Sequence, residues 1–146
     1  MTNQVGTAVP RPLVSVPKDA TVMDAIRAMA AAGRSAVVIL DAEKLLGVFT
    51  ERDVAKRVVL DRLDPDKTPI SSVMTRNVVT VRENADRSTV LMLMDKNHIR
   101  HLPVVDAEGR VKTVLSMRQL LRAEVQDLKQ TVWELASETA IDGPGG

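Results

Sequence analysis

Read for hydrophobic and polar positions, the chain falls into short elements that occur twice in the same order. A β-rich stretch, Leu13 to Val16, precedes a segment where Val22, Ile26 and Met29 recur at helical spacing. Thr21, with Asp24 three residues on, reads as a capping box that starts this helix. The continuous apolar run Ala36-Val-Val-Ile-Leu40 suits a strand buried on both faces. A polar turn at Asp41–Lys44, a third strand from Leu45 to Phe49 and a second helix opening at Thr50 complete the passage. The second passage runs Val78 to Val81, a helix capped at Asp86 with Val90, Leu91 and Met94 inward, and a strand Leu102 to Val105. It ends with a turn at Asp106–Gly109, a strand Val111 to Leu115 and a helix from Ser116.

The two passages align at an offset of 65 residues: Val14 on Val79, Val16 on Val81, Ala20 on Ala85, Met29 on Met94 and Asp41-Ala-Glu43 on Asp106-Ala-Glu108. One extra residue in the second turn moves the offset to 66, so that Thr50 meets Ser116. The expected fold is α/β with α+β character: two pseudo-symmetric β-α-β-β-α repeats packed face to face, because one unit of this size buries too little apolar surface alone. The expected organisation is an N-terminal arm (1–12), repeat 1 (13–60), a linker with a short helix from Thr68 through Val73 (61–76) and repeat 2 (77–123). A C-terminal helix (124–139) and a disordered tail (140–146) follow.

The last helix does not stop where its counterpart does. Leu121, Val125, Leu128, Val132 and Leu135 recur at spacings of 4, 3, 4 and 3, a heptad seam. The seam could pair with a second chain or dock on its own repeats, with Trp133 flanking the contact.

Composition removes several classes of function. Lys+Arg 20 against Asp+Glu 19 leaves a net charge of +1, so no global field draws the chain to nucleic acid or to an anionic membrane. With Phe49 and Trp133 as the only Phe, Tyr or Trp residues, base stacking is unsupported and the core must be aliphatic. The methionines Met23, Met29, Met74, Met92, Met94 and Met117 read as core filler. Cysteine is absent, which excludes thiol catalysis and Cys-based metal sites. His98 and His101 lie three apart on a strand-like segment, which would point them to opposite faces. Neither a phosphate-binding glycine loop nor a nucleophile elbow occurs, so catalysis is not expected. No apolar run is long enough to span a bilayer and the start has no signal-peptide pattern, so a cytoplasmic protein is expected.

Three local patterns identify a resemblance. They are Gly47-Val-Phe-Thr-Glu-Arg-Asp53, then Val73-Met-Thr75 with Val79-Thr-Val81, and His98-Ile-Arg-His-Leu-Pro-Val-Val-Asp106. At repeat spacing they resemble a tandem CBS-domain pair, or Bateman module, of the stand-alone bacterial type, over about Leu13 to Ala123. The resemblance implies an adenine nucleotide (AMP, ADP, ATP or NAD) bound between the repeats, a regulatory role, a homodimer and a regulated protein the sequence does not name.

Residue by residue, the resemblance implies a ribose contact for Thr50 and Asp53, since a carboxylate accepts bonds from both hydroxyls of a diol. Thr50 and Asp53 equally satisfy a capping box. Arg100 and His101 are placed near the phosphate, with Arg34, Arg52 and Arg118 as further phosphate candidates. Glu51, Arg52 and Lys56 also fit a solvated helix face, and His101 also fits a packing role. Val14 and Val79 would wall the adenine, or serve as ordinary core. Ser116 and Gln119 mark a second, degenerate site, because Gln119 carries no charge where repeat 1 has Asp53. The competing function is a constitutive dimeric scaffold with vestigial nucleotide sites.

Overall fold

The computed structural model describes residues 4–5 and 12–141. Repeat 1 comprises β1 (Ser15–Pro17), α1 (Val22–Ala32), β2 (Ala36–Asp41), β3 (Lys44–Thr50) and α2 (Glu51–Asp53), which continues as a wider π-type turn over Val54–Val59. Repeat 2 comprises β4 (Val81–Arg82), α3 (Arg87–Asn97), β5 (His101–Val105), β6 (Val111–Ser116) and α4 (Met117–Ile141). Each repeat has a three-stranded sheet in sequence order. The first pair is parallel and the second antiparallel.

The capping box at Thr21 is present: its backbone N–H donates to Asp24 Oδ2 (2.9 Å), and Asp24 N–H donates to Thr21 Oγ1 (3.2 Å). These bonds hold the Asp24 carboxyl below its ordinary range. Gly33 ends α1 in the left-handed conformation, φ 63°. The equivalent end of α3 is His98, φ 54°, a residue that adopts this region only at a cost. His98 is therefore a helix terminus and not the strand residue expected.

Repeat symmetry reaches the irregularities. Both antiparallel pairs break register at the same place, between Ile39 and Leu40 and between Val104 and Val105. The extra residue of repeat 2 sits in its hairpin turn, where Asp106 Oδ1 accepts the backbone N–H groups of Glu108 and Arg110. The two turns meet through a bridge between Lys44 and Arg110 and an ion pair from Arg110 to Glu43.

The segment that leads into each repeat completes the core of the other repeat. Ile70 is fully buried in the core of repeat 1, and its N–H donates to Ala20 O (2.9 Å). Val5 is buried in the core of repeat 2, and its N–H donates to Ala85 O (2.9 Å). The linker then runs along the edge of β3, with reciprocal Val48–Thr75 backbone bonds of 3.0 and 2.9 Å. Gly47 permits this approach: a Cβ there would lie 2.6 Å from Met74 Sδ and 2.8 Å from Thr75 O.

Several expected details differ. The first strands are shorter and later than Leu13–Val16 and Val78–Val81, because Leu13, Val14 and Val79 lie outside the strand pairings. The helix expected from Thr68 through Val73 is one 3-10 turn, Ile70–Ser72. The Thr68 hydroxyl donates back to Asp64 O (2.7 Å) rather than capping forward. Asp86 occupies the N-cap of α3 without a side-chain cap bond. Met92 is exposed rather than core, whereas Met29, Met74 and Met94 are buried. The part of the expected tail beyond Ile141 lies outside the described residues. Among the described residues, no helix is long and apolar enough to cross a membrane.

Candidate functional site

The pseudo-symmetry creates two clefts of about 600 Å³ each, within the range of small-molecule sites. The residues before β2 and β5 meet the helix starts that follow β3 and β6, and the first helical N–H is anchored each time: Glu51 N–H donates to Ser35 O (3.0 Å), and Met117 N–H to Arg100 O (2.8 Å). Each cleft lies between the repeats: cleft 1 joins the start of α2 in repeat 1 to the segments before β4 and β5 in repeat 2. Cleft 2 joins the start of α4 to the segments before β1 and β2.

Cleft 1 gathers Thr50, Asp53, Arg52, Val79, Arg100 and His101 from the expected set. At its helix start, the Thr50 backbone N–H and hydroxyl both donate to Asp53 Oδ2 (2.9 and 3.1 Å), and Asp53 N–H donates to Thr50 Oγ1 (3.3 Å). The capping reading of this pair is therefore correct. It does not use up the carboxylate, which has about four lone-pair positions. Its other oxygen, Oδ1, lies 3.7 Å from Arg57 Nε, too far for a close hydrogen bond. Cap and ligand contact are compatible at one side chain.

Val48, Val78, Val79 and Ile99 give cleft 1 its apolar surface; Arg52, Lys56, Arg57 and Arg100 give it positive charge. Arg57 is held by its Nη1, which donates to Val73 O (3.0 Å), tying α2 to the linker.

Ser35, Arg100 and His101 line both clefts and form the wall between them. Ser35 Oγ and His101 Nε2 share a 2.8 Å hydrogen bond that joins the two repeats. Burial pushes the His101 imidazole below its ordinary 6.5; Glu51 and Asp53 oppose this and Arg100 adds to it. His98 also lines cleft 1, so the two histidines share a cleft instead of facing apart.

Val14, Arg34 and Arg118 do not join Asp53. They line cleft 2 with Ser116. The symmetry explains this correction: Val14 is the counterpart of Val79, and Arg118 of Arg52, so each serves the other cleft. Gln119 is not among the residues lining cleft 2, although its N–H donates to Ser116 Oγ (3.2 Å) in half a capping box. Cleft 2 contains Arg34, Arg100 and Arg118, and no carboxylate lines it among the described residues. Sequence reasoning passed over Ser35, Arg57, Thr75 and Asn77. Ser35 was accessible as the offset-65 counterpart of Arg100; Thr75 closes the Val73-Met-Thr75 pattern within the linker, and Asn77 opens repeat 2.

A protein-family model for the CBS domain matches residues 5–60 and 70–126, and the chain belongs to that family as a tandem CBS-domain pair. The first matched segment includes Val5, which packs on repeat 2. The chain is 35% identical over 132 residues to the CBS domain-containing protein CBSCBSPB3 of Arabidopsis thaliana. The match covers 89% of this chain and 24% of that protein, so the chain spans about a quarter of its relative. Among solved structures it is similar to the CBS domain protein PAE2072 of Pyrobaculum aerophilum, complexed with AMP. That match has a TM-score of 0.78 and 28% identity, and covers 87% of this chain and 98% of that one. It is also similar to the CBS domain pair of protein MJ0100 in complex with 5′-methylthioadenosine and S-adenosyl-L-methionine, with a TM-score of 0.76, 26% identity, and 85% and 97% coverage.

Proposed function

We propose that this chain is a regulatory module that binds an adenosine-containing ligand (AMP, ADP, ATP or NAD) in cleft 1 and passes the change in repeat arrangement to a partner protein. The observation that carries the reading is the composition of cleft 1. One half-buried carboxylate, Asp53, stands at a fixed helix start. Across the cleft the other repeat offers Val78, Val79 and Ile99, and basic side chains stand around both. That set answers the three parts of a nucleotide. A carboxylate accepts from the ribose diol, an apolar wall covers the base, and arginines meet the phosphate. Similarity to a protein solved with AMP supports the class of ligand.

The function is binding and relay, without chemistry at the ligand. Ligand shifts the repeat arrangement only as far as its affinity differs between the two states. Thermal unfolding of the purified protein with AMP, ADP, ATP, NAD and S-adenosylmethionine tests the reading. At 100 times Kd a ligand stabilises by about 2.7 kcal/mol. The expected result is a rise with at least one of these ligands that is lost in Asp53→Asn. No rise with any of them, in folded and nucleotide-free protein, returns the chain to the scaffold reading. The absence of a carboxylate among the residues lining cleft 2 already favours that reading for the second site.

A further inference from the structure

From Val125 to Ala140 every described side chain of α4 is exposed, with Asp127 reaching back to Arg87 of α3. An unsupported helical stretch of this length is marginal in water. Yet the stretch carries Val125, Leu128, Val132 and Leu135, between 48% and 64% exposed, in line with Leu121 at 48%. The face of α4 turned to its module is a different one. It holds Leu120, which is buried, and Ala123 and Glu124, with Glu124 and Asp127 bonded to Arg87 of α3. The apolar seam lies about a third of a turn away from that face, at 3.6 residues per turn.

We propose that this seam pairs with a second copy of the chain as a parallel, two-stranded coiled coil. The spacing puts Leu121, Leu128 and Leu135 at d and Val125 and Val132 at a. β-branched residues at a with leucine at d are the combination that favours two parallel strands. The flanks agree. In a parallel pair the g residue of one chain meets the e residue of the next heptad in the other, which sets Glu124, whose Oε1 already accepts from Arg87, beside Lys129 of the opposite copy, with the second carboxylate oxygen left to meet that cation. An antiparallel pair brings e against e, where Arg122 and Lys129 are both basic. The seam is self-complementary, so the same surface serves both copies around a two-fold axis. Parallel pairing sets both modules at one end of the stalk. Leu121, the first seam residue, also lines cleft 2, so the stalk begins beside that cleft in each copy.

The absence of cysteine from the sequence makes the test clean. Wild-type protein, Leu128→Glu and Val132→Cys are compared by light scattering at micromolar concentration and by non-reducing electrophoresis after mild oxidation. The expected results are a dimer mass for wild type, a folded monomer for Leu128→Glu, and a disulfide-linked dimer for Val132→Cys, since an a residue faces its own copy only in a parallel, in-register pair. Far-UV circular dichroism of Leu128→Glu confirms that the module is folded; Leu128 lies outside both cores. A monomeric wild type overturns the proposal and points to a different protein on the seam. A dimer that survives Leu128→Glu overturns it in favour of pairing through the modules. A wild-type dimer whose Val132→Cys form does not cross-link, while a mixture of Val132→Cys and Leu128→Cys chains does, overturns the parallel orientation.

Discussion

Asp53 caps a helix start in this structure and, under the proposed function, accepts from a ribose; substitution separates the two roles. Asp53→Ala removes the acceptor for the Thr50 backbone N–H (2.9 Å) and hydroxyl (3.1 Å), so the capping box fails. Loss of such a cap costs about 0.5–2 kcal/mol. For a chain of 146 residues, each kcal/mol moves the unfolding midpoint by roughly 2–4 °C, so a fall of a few degrees is expected. Asp53→Asn keeps a carbonyl acceptor in the same place, and its midpoint should stay close to wild type. Binding should respond differently. A hydrogen bond to a charged group contributes about 1.5–3 kcal/mol. Removing the carboxylate under a ribose diol forfeits up to two of these, weakening affinity by roughly 10²–10⁴-fold. Both variants should lose binding, and only Ala should lose stability.

Calorimetric titration of the responding ligand beside thermal unfolding of the three proteins gives both numbers. If Asp53→Asn binds like wild type, the carboxylate does not read the ribose and the assignment of cleft 1 fails. If Asp53→Asn is as unstable as Asp53→Ala, the charge and not the acceptor holds the helix start. The capping account would then be wrong.

Gly47→Ala puts a Cβ 2.6 Å from Met74 Sδ and 2.8 Å from Thr75 O, so the linker must retreat from β3; a loss of about 1–3 kcal/mol is expected in urea unfolding. An unchanged midpoint would mean the linker yields freely. His98→Gly relieves a left-handed φ of 54° and should raise stability by up to about 1 kcal/mol, after the greater chain entropy of glycine is subtracted; a lower midpoint contradicts it. His101 is depressed in the folded state, so below its ordinary 6.5 the unfolded chain binds more protons than the folded one. Stability is then full above 6.5 and falls as pH drops from there toward the folded value. The slope of unfolding free energy with pH should flatten there in His101→Gln, and an identical slope would remove His101 as its source.

Much of the fold was legible because periodicity and capping are local. The spacing of Val22, Ile26 and Met29, the box at Thr21 and the apolar run from Ala36 all answer to residues within a few positions. The offset between repeats then carried each conclusion to the second copy. What escaped depends on distance. Nothing near Val5 or Ile70 announces that each completes the core of the other repeat and not of the one it leads into. His98 escaped for another reason: its helix ends without the glycine that marks the same position, Gly33, in repeat 1. The candidate site was legible as residue types and not as a grouping. Thr50, Asp53, Arg100 and His101 do share a cleft, whereas Val14, Arg34 and Arg118 have crossed to the other.

That division gives the repeat its meaning. A duplicated unit with a two-fold axis yields two equivalent clefts unless the sequence differs where it faces them. Here the cleft linings differ, while core positions such as Val16 and Val81, Ala20 and Ala85, and Met29 and Met94 stay matched. Repeat 1 presents Glu51, Arg52 and Asp53 at its helix start; repeat 2 presents Met117, Arg118 and Gln119. Before the central strand, Ile99 of cleft 1 corresponds at the offset of 65 to Arg34 of cleft 2. Cleft 1 thereby keeps an anionic acceptor beside apolar surface, and cleft 2 becomes cationic with no carboxylate among the described residues of its lining. The partition of Ser35, Arg100 and His101 belongs to both, so Arg100 cannot turn fully toward an anion on one side without leaving the other. Charge placed in either cleft acts on the same three side chains, Ser35, Arg100 and His101. The fold alone would allow two identical sites; the substitutions at its helix starts make them unequal and leave them in contact.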